Sequence, residues 1–264
     1  MPPTIHFGPA GLGSIKDAMK NLEDYHKRGL TACEIAFTYG VYIKKDPDIV
    51  LIRSTAEKYG IRLSIHAPYW INLNSSEAKK LQQSKERILA CCEVGEKLGC
   101  YRVVFHPGYY GKSTPEETYT HIKEAIKDLE GVIKERQWKI NIAVETMGKV
   151  NVFGSIDQTH QLIHDTHCAF CIDFAHILAR EKSVDYEKIR KLFSAEKIWH
   201  CHFSGIVYGE KGEKYHKKTE KEEWKTLLIE LHTLPKDITI TIINESPTMV
   251  EDSVEGLTIW KGLK

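Results

Sequence analysis

Residues 62–80 read RLSIHAPYWINLNSSEAKK. Leu63 and Ile65 alternate with Arg62, Ser64 and His66, the period-two pattern of a strand. The strand stops at His66-Ala67-Pro68, and two large aromatics, Tyr69 and Trp70, follow in a loop. Ser75-Ser76-Glu77-Ala78 then opens an amphipathic segment that runs to about residue 98, a good helix start. A strand that ends on an imidazole and hands over to a helix is one β-loop-α unit.

The unit recurs along the whole chain. Strands are expected at 4–8 (TIHFG), 32–37 (ACEIAF), 62–66, 102–106 (RVVFH), 140–145 (INIAVE), 169–173 (AFCID), 198–203 (IWHCHF) and 240–244 (ITIIN). Helices are expected between them, at about 14–28, 48–59, 76–98, 116–136, 156–165, 184–193, 220–233 and 249–261. Thr114-Pro115-Glu116-Glu117 is a further helix opening, with Pro115 suited to the first turn. Strands alternating with helices imply a parallel sheet. Eight units in 264 residues is the arithmetic of a (β/α)8 TIM barrel, an α/β fold in a single domain over 1–264. A doubly wound open sheet is the runner-up. The glycine-rich FGPAGLGS at 7–14 lacks the spacing and the acidic second-strand end of a dinucleotide site.

Composition excludes little. Hydrophobic residues make up 42% and charged residues 28%, with a net charge of +1. These values suit a soluble globular protein, and a local basic rim for nucleic acid remains compatible with them. The seven cysteines are an odd number without a small secreted framework, so reduced thiols and a cytoplasmic location are expected. No apolar run reaches the roughly 18 residues that span a bilayer, and the N-terminus has no basic region followed by an apolar core. Neither a membrane partner nor a signal peptide is expected. The lysine-rich HKKTEKEEWK at 216–225 is interspersed with acids and reads as a solvated helix face.

In such a barrel the chemistry lies at the C-terminal strand ends. Strand three ends in His66 and strand four in His106. Strand five ends in Glu145. Strand six ends in Asp173, with His176 three residues on. Strand seven ends in His202, with His216 in its loop, and strand eight ends in Glu245. A single histidine at a strand end is usually a hydrogen-bonded rim residue. The set is different: carboxylates converging on one mouth without matching Lys or Arg need protons or cations. Mixed His, Asp and Glu donors select Zn²⁺, Mn²⁺ or Fe²⁺ over Ca²⁺ or Mg²⁺. Eight donors exceed one ion's needs and suit two or three, with Glu145 able to bridge. Paired ions of this kind serve phosphate ester cleavage. Cys168 and Cys171 of CAFC read as core thiols, and His200 as a packed residue one layer below His202. His160, His164 and His167 receive no role, and Glu34 is an unassigned acid near the rim.

The ordered set SIHAPYWINL, VVFHPG, AVETM, CIDFAH, HCHFSG and NESP resembles endonuclease IV, the zinc-dependent apurinic/apyrimidinic endonucleases of base excision repair. The resemblance covers essentially the whole chain. It implies a first metal on His66, His106 and Glu145, and a second on Glu145, Asp173, His202 and Glu245. It implies a third on His176 and His216. The family's Asp-Arg-His triplet reads Lys214-Tyr215-His216 here, which removes one ligand of the third site; neighbouring Glu213 is a substitute from a different backbone position. The strand-seven Asn-Asp of the family reads Ser204-Gly205. The implied substrate is double-stranded DNA with abasic sites, cut 5′ to the lesion to leave a 3′-hydroxyl, with Glu145 as catalytic base and the protein a monomer. Tyr69 and Trp70 match positions that enter the DNA stack. A sugar isomerase or epimerase on the same barrel is the alternative, with fewer metal ligands needed.

Overall fold

A computed structural model describes residues 2–263. Its strands are β1 (Thr4–Pro9), β2 (Ala32–Ala36), β3 (Arg62–His66), β4 (Arg102–Phe105), β5 (Asn141–Glu145), β6 (Ala169–Asp173) and β7 (Ile198–Phe203). A hairpin follows, β8 (Gly205–Gly209) and β9 (Gly212–Lys217), and then β10 (Thr239–Asn244). The helices are α1 (Ile15–Lys27), α2 (Asp46–Tyr59), α3 (Ala78–Leu98), α4 (Pro115–Glu135), α5 (Ile156–Thr166), α6 (Phe174–Glu181), α7 (Tyr186–Leu192), α8 (Lys221–His232) and α9 (Met249–Leu263).

The large sheet runs β1-β10-β7-β6-β5-β4-β3-β2, with every pair parallel. First and last strands pair in register from Thr4↔Thr239 to Pro9↔Asn244. That pairing excludes the doubly wound sheet, whose first and last strands do not meet, and makes a nearly closed (β/α)8 barrel. The remaining seam lies between β1 and β2, where Thr31 N donates to Phe7 O at 3.1 Å. A Cβ on Gly8 would lie 1.9 Å from Ala32 O, so only glycine lets these backbones approach.

The strand period sorts side chains into two layers. Ile35, Ile65, Val103, Ile142 and Ile242 pack outward against helix residues such as Leu22, Ile88, Ile126 and Leu162 in the main core. Val104, Ala143 and Cys171 form a small separate cluster on the inward face. Two residues further along, the same face carries His106, Glu145 and Asp173. Thr114 with Glu117, and Ser155 with Gln158, form capping boxes at α4 and α5.

Two elements escaped the sequence pattern. Helix α6 starts immediately at the end of β6, because Asp173 Oδ1 accepts from His176 N at 2.8 Å and caps it without a loop. The β8–β9 hairpin fills the connection after β7. Helix α3 begins at Ala78, later than the expected residue 76; its N-cap is Glu77, without a side-chain cap bond. Among the described residues, no helix is long and apolar enough to cross a membrane. All seven cysteines are free and buried, as their reading as reduced core thiols requires.

Candidate metal centre

The eight strand-end residues singled out in the sequence converge at the C-terminal mouth, where their ligand atoms fall into three groups. His66, His106 and Glu145 form one. Glu145, Asp173, His202 and Glu245 form another. His176 and His216 meet Glu213 in the third. Within each group the ligand atoms lie within 4.8 Å of one another. Glu145 belongs to two groups and is fully buried. Its Oε2 lies 3.0 Å from His66 Nε2 and 3.1 Å from His106 Nε2. Its Oε1 lies 3.2 Å from His176 Nδ1 and 3.4 Å from His202 Nδ1.

Each of several histidines has one nitrogen tied to the protein. His66 Nδ1 donates to Ala67 O at 2.7 Å, and His176 Nδ1 to Thr146 O at 3.0 Å. His216 Nδ1 shares a hydrogen bond with the Ser204 hydroxyl. Such bonds fix the tautomer and aim the other nitrogen into the site. For His202 the tie is Glu34, a wholly buried carboxylate on β2. Glu34 Oε1 lies 2.8 Å from His202 Nε2, a close charge contact that misses hydrogen-bond angles. Glu34 Oε2 accepts from His200 Nε2 at 2.9 Å and from Ser64 Oγ at 2.8 Å, and Tyr101 bonds to His200 from below. Glu34 had no assigned role in the sequence, since an acid in mid-strand carries no local sign of its partners. His200 does sit one layer deeper, as expected.

The electrostatics are those of a cation site. Glu34, Glu145, Asp173, Glu213 and Glu245 crowd the mouth, and each of their ion-pair partners among the described residues is a histidine. Burial alone would raise the Glu145 carboxyl, but the charges of His106 and His202 hold it well below the usual range. Burial alone would lower His66, but its bond to Glu145 and the nearby acids raise it to about 9. His176 and His202 are likewise raised against burial, His176 chiefly by Asp173 and Glu145, His202 by Cys171, Glu245 and Glu34. Burial pushes His200 down to about 4, so it stays neutral. Protons on these imidazoles thus stand where cations would balance the acids. Glu145 Oε1, Asp173 Oδ2 and His202 Nδ1 are buried without hydrogen-bond partners among the described residues. Donors left unsatisfied in the interior are costly unless an ion takes them, so the residues fit a metal.

Tyr69 and Trp70 are 52% and 60% exposed at the mouth. The Tyr69 ring sits 5.6 Å from His66 and 5.4 Å from His106, and Trp70 O accepts from Arg87 Nη1 at 3.3 Å. The sequence reading passed over other exposed rings on the same face: Tyr39 after β2, Tyr109 after β4 and Tyr215 on β9. Tyr39 and Tyr109 follow barrel strand ends, which is the signal that finds them; Tyr215 lies within the hairpin and had no such signal. His160 packs on Phe193 away from the mouth. Cys171 and Cys168 are core thiols; Cys171 also lies within ligand distance of His200 and His202. Burial holds its thiol well above the ordinary value, and Glu34 already engages both imidazoles.

Comparison with known proteins follows the same lines. An uncharacterized protein of Methanocaldococcus jannaschii is 35% identical over 94% of each chain. An apurinic-apyrimidinic endonuclease of Caenorhabditis elegans is 33% identical over 51% of this chain and 36% of its own. Among solved structures, endonuclease IV from Thermus thermophilus superposes with TM-score 0.69 at 18% identity, over 99% of this chain and 98% of its own. A D-tagatose 3-epimerase-like protein superposes with TM-score 0.74 at 19% identity, over 98% and 97%. These two likenesses speak to the fold alone. The xylose isomerase-like TIM barrel model matches residues 22–242, from α1 through β10, and the chain belongs to that family.

Proposed function

We propose that this protein is a metal-dependent endonuclease that hydrolyses the DNA phosphodiester 5′ to an abasic site, leaving a 3′-hydroxyl. The observation that supports the reading is the grouping of donors around Glu145: two candidate donor groups have this carboxylate in common, and a third group adjoins them through His176. Zinc suits the mixed His and carboxylate donors, with Mn²⁺ or Fe²⁺ as chemical alternatives. Bound there, the ions supply Lewis acidity for the phosphate, the attacking water and the leaving oxygen.

The chain's own residues supply the rest. Glu145, with four imidazoles within 3.0–3.4 Å of its oxygens, is the carboxylate placed to orient a water and accept its proton. Glu34, His200 and Tyr101 hold His202 from behind. Tyr69, Trp70 and Tyr109 offer stacking faces around the mouth, suited to bases next to a nucleotide drawn out of the helix.

A sugar isomerase or epimerase, needing fewer ligands, would be served by Glu145, Asp173, His202 and Glu245 alone. The remaining histidines and the exposed rings would have no task, which favours the nuclease. The test is Glu145→Gln. It should slow nicking of an abasic duplex by about 10³-fold or more, beyond the 10²–10⁴-fold span's lower end for one acid–base group, while retaining most DNA affinity. Unchanged nicking would remove Glu145 from the role given it.

A further inference from the structure

The hairpin β8–β9 carries a register shift. Val207 pairs with Tyr215, but Tyr208 pairs with Glu213, so Lys214 is an extra residue on β9. In an unbroken strand, positions 214 and 216 share a face and 213 faces away. The bulge at Lys214 reverses this: Glu213 and His216 now share the face toward the barrel mouth. Lys214 is exposed and lies over Gly209 on the other strand; a Cβ there would sit 3.1 Å from Lys214 Cε. Glu213 is half-buried, with Oε2 3.4 Å from His176 Nε2, the nitrogen left free when Nδ1 binds Thr146 O.

The hairpin is pinned in that position. Lys149 and Gly212 form an antiparallel bridge, and Glu213 N donates to Gly148 O at 3.1 Å. Gly212 has φ +95°, and a Cβ on it would lie 2.1 Å from Gly148 O. A Cβ on Gly148 would lie 2.8 Å from Glu213 Cβ and 2.9 Å from His176 Cδ2. Arg180 Nη1 donates to Lys149 O at 2.7 Å and Val152 O at 2.9 Å, bracing the facing loop. Two glycines and a bulge therefore bring one carboxylate against one imidazole.

Resting on the metal-enzyme reading above, we infer that Glu213, rephased by the bulge at Lys214, is the carboxylate ligand of a third metal position with His176 and His216. A carboxylate with two imidazoles and an open side toward the solvent is an adequate three-ligand set for zinc. Lys214 itself is exposed over Gly209, turned away from His176, and leaves the ion room.

The experiment counts metal in protein stripped by chelator and reloaded with Zn²⁺, and follows Co²⁺ loading by its visible absorption. Wild type should hold three ions and Glu213→Gln two, with the third weakened by at least about 100-fold, past the 10–100-fold cost of an outer-shell partner. Glu213→Asp should weaken it less, and Lys214→Ala should keep all three. Melting of the stripped variants checks that each is folded. Wild type saturating at two ions, Glu213→Gln keeping three at unchanged affinity, or Lys214→Ala losing the third would each overturn the assignment. Nicking of an abasic duplex by the same samples separates the two readings. Three ions without nicking leaves Glu213 in place and sinks the nuclease, whereas nicking with two ions does the reverse.

Discussion

At the scale of single residues, Glu34 is the clearest case of a side chain that acts through another. It is fully buried, and burial alone would raise its carboxyl, but His202 and His200 hold it well below the usual range. Its contact with His202 Nε2 leaves Nδ1 facing Glu145 and Glu245 at 3.4 and 3.5 Å. Glu34→Gln should therefore weaken metal at the Glu145–Asp173–His202–Glu245 group about 10- to 100-fold, measured by competitive chelator titration. Unchanged affinity would reduce Glu34 to packing. Trp70 is an exposed ring in the loop after β3. Trp70→Ala should lower affinity for an abasic duplex by about 1–3 kcal/mol, the worth of one stacked base, with metal content unchanged. A loss of metal instead would mean the ring only covers the site.

At the scale of elements, barrel closure depends on β1 lying against β2 at Gly8. Gly8→Ala places a methyl 1.9 Å from Ala32 O, a backbone atom that cannot swing aside. The expected cost is about 3 kcal/mol or more, at or above the usual range for overpacking, read by urea denaturation. A variant of wild-type stability would mean that the seam opens freely. The eight barrel strands were legible as short apolar runs, and the last six also bring an imidazole or a carboxylate to the mouth. His66, Glu145 and Asp173 end their strands at the positions expected. Helix α6 was not legible, because its cap, Asp173, is also the strand's last residue and no turn residues intervene. The hairpin's bulge was not legible either: Glu213 next to Lys214 gives no sign of which one faces inward until the pairing across the hairpin is known.

At the scale of the molecule, the mouth concentrates negative charge that imidazolium or metal must balance. This fixes a pH signature for protein stripped of metal. The folded-state value of His66 is raised from 6.5 to about 9, so its stabilisation is complete below pH 6.5 and is lost as pH rises through about 9. His176 and His202 are raised in the same direction. Glu34 and Glu145 are lowered, so their contribution is present above pH 4.5 and lost as pH falls below it. Stripped protein should thus melt highest between about pH 4.5 and 6.5, and lose of order 3 kcal/mol toward pH 9 from His66 alone. Zinc-loaded protein should lose none of it there, since the ion replaces the proton. Equal pH profiles for the two forms would contradict a metal-balanced mouth.

Phosphodiester cleavage at the mouth is the proposed reaction. The most direct measurement is incubation of zinc-loaded protein with a duplex holding one tetrahydrofuran abasic analogue, with and without chelator, and mapping of the cut. The expected result is a chelator-sensitive nick immediately 5′ to the lesion with a 3′-hydroxyl that a polymerase extends. No nick with added Zn²⁺ or Mn²⁺, or a nick indifferent to chelator, would contradict it.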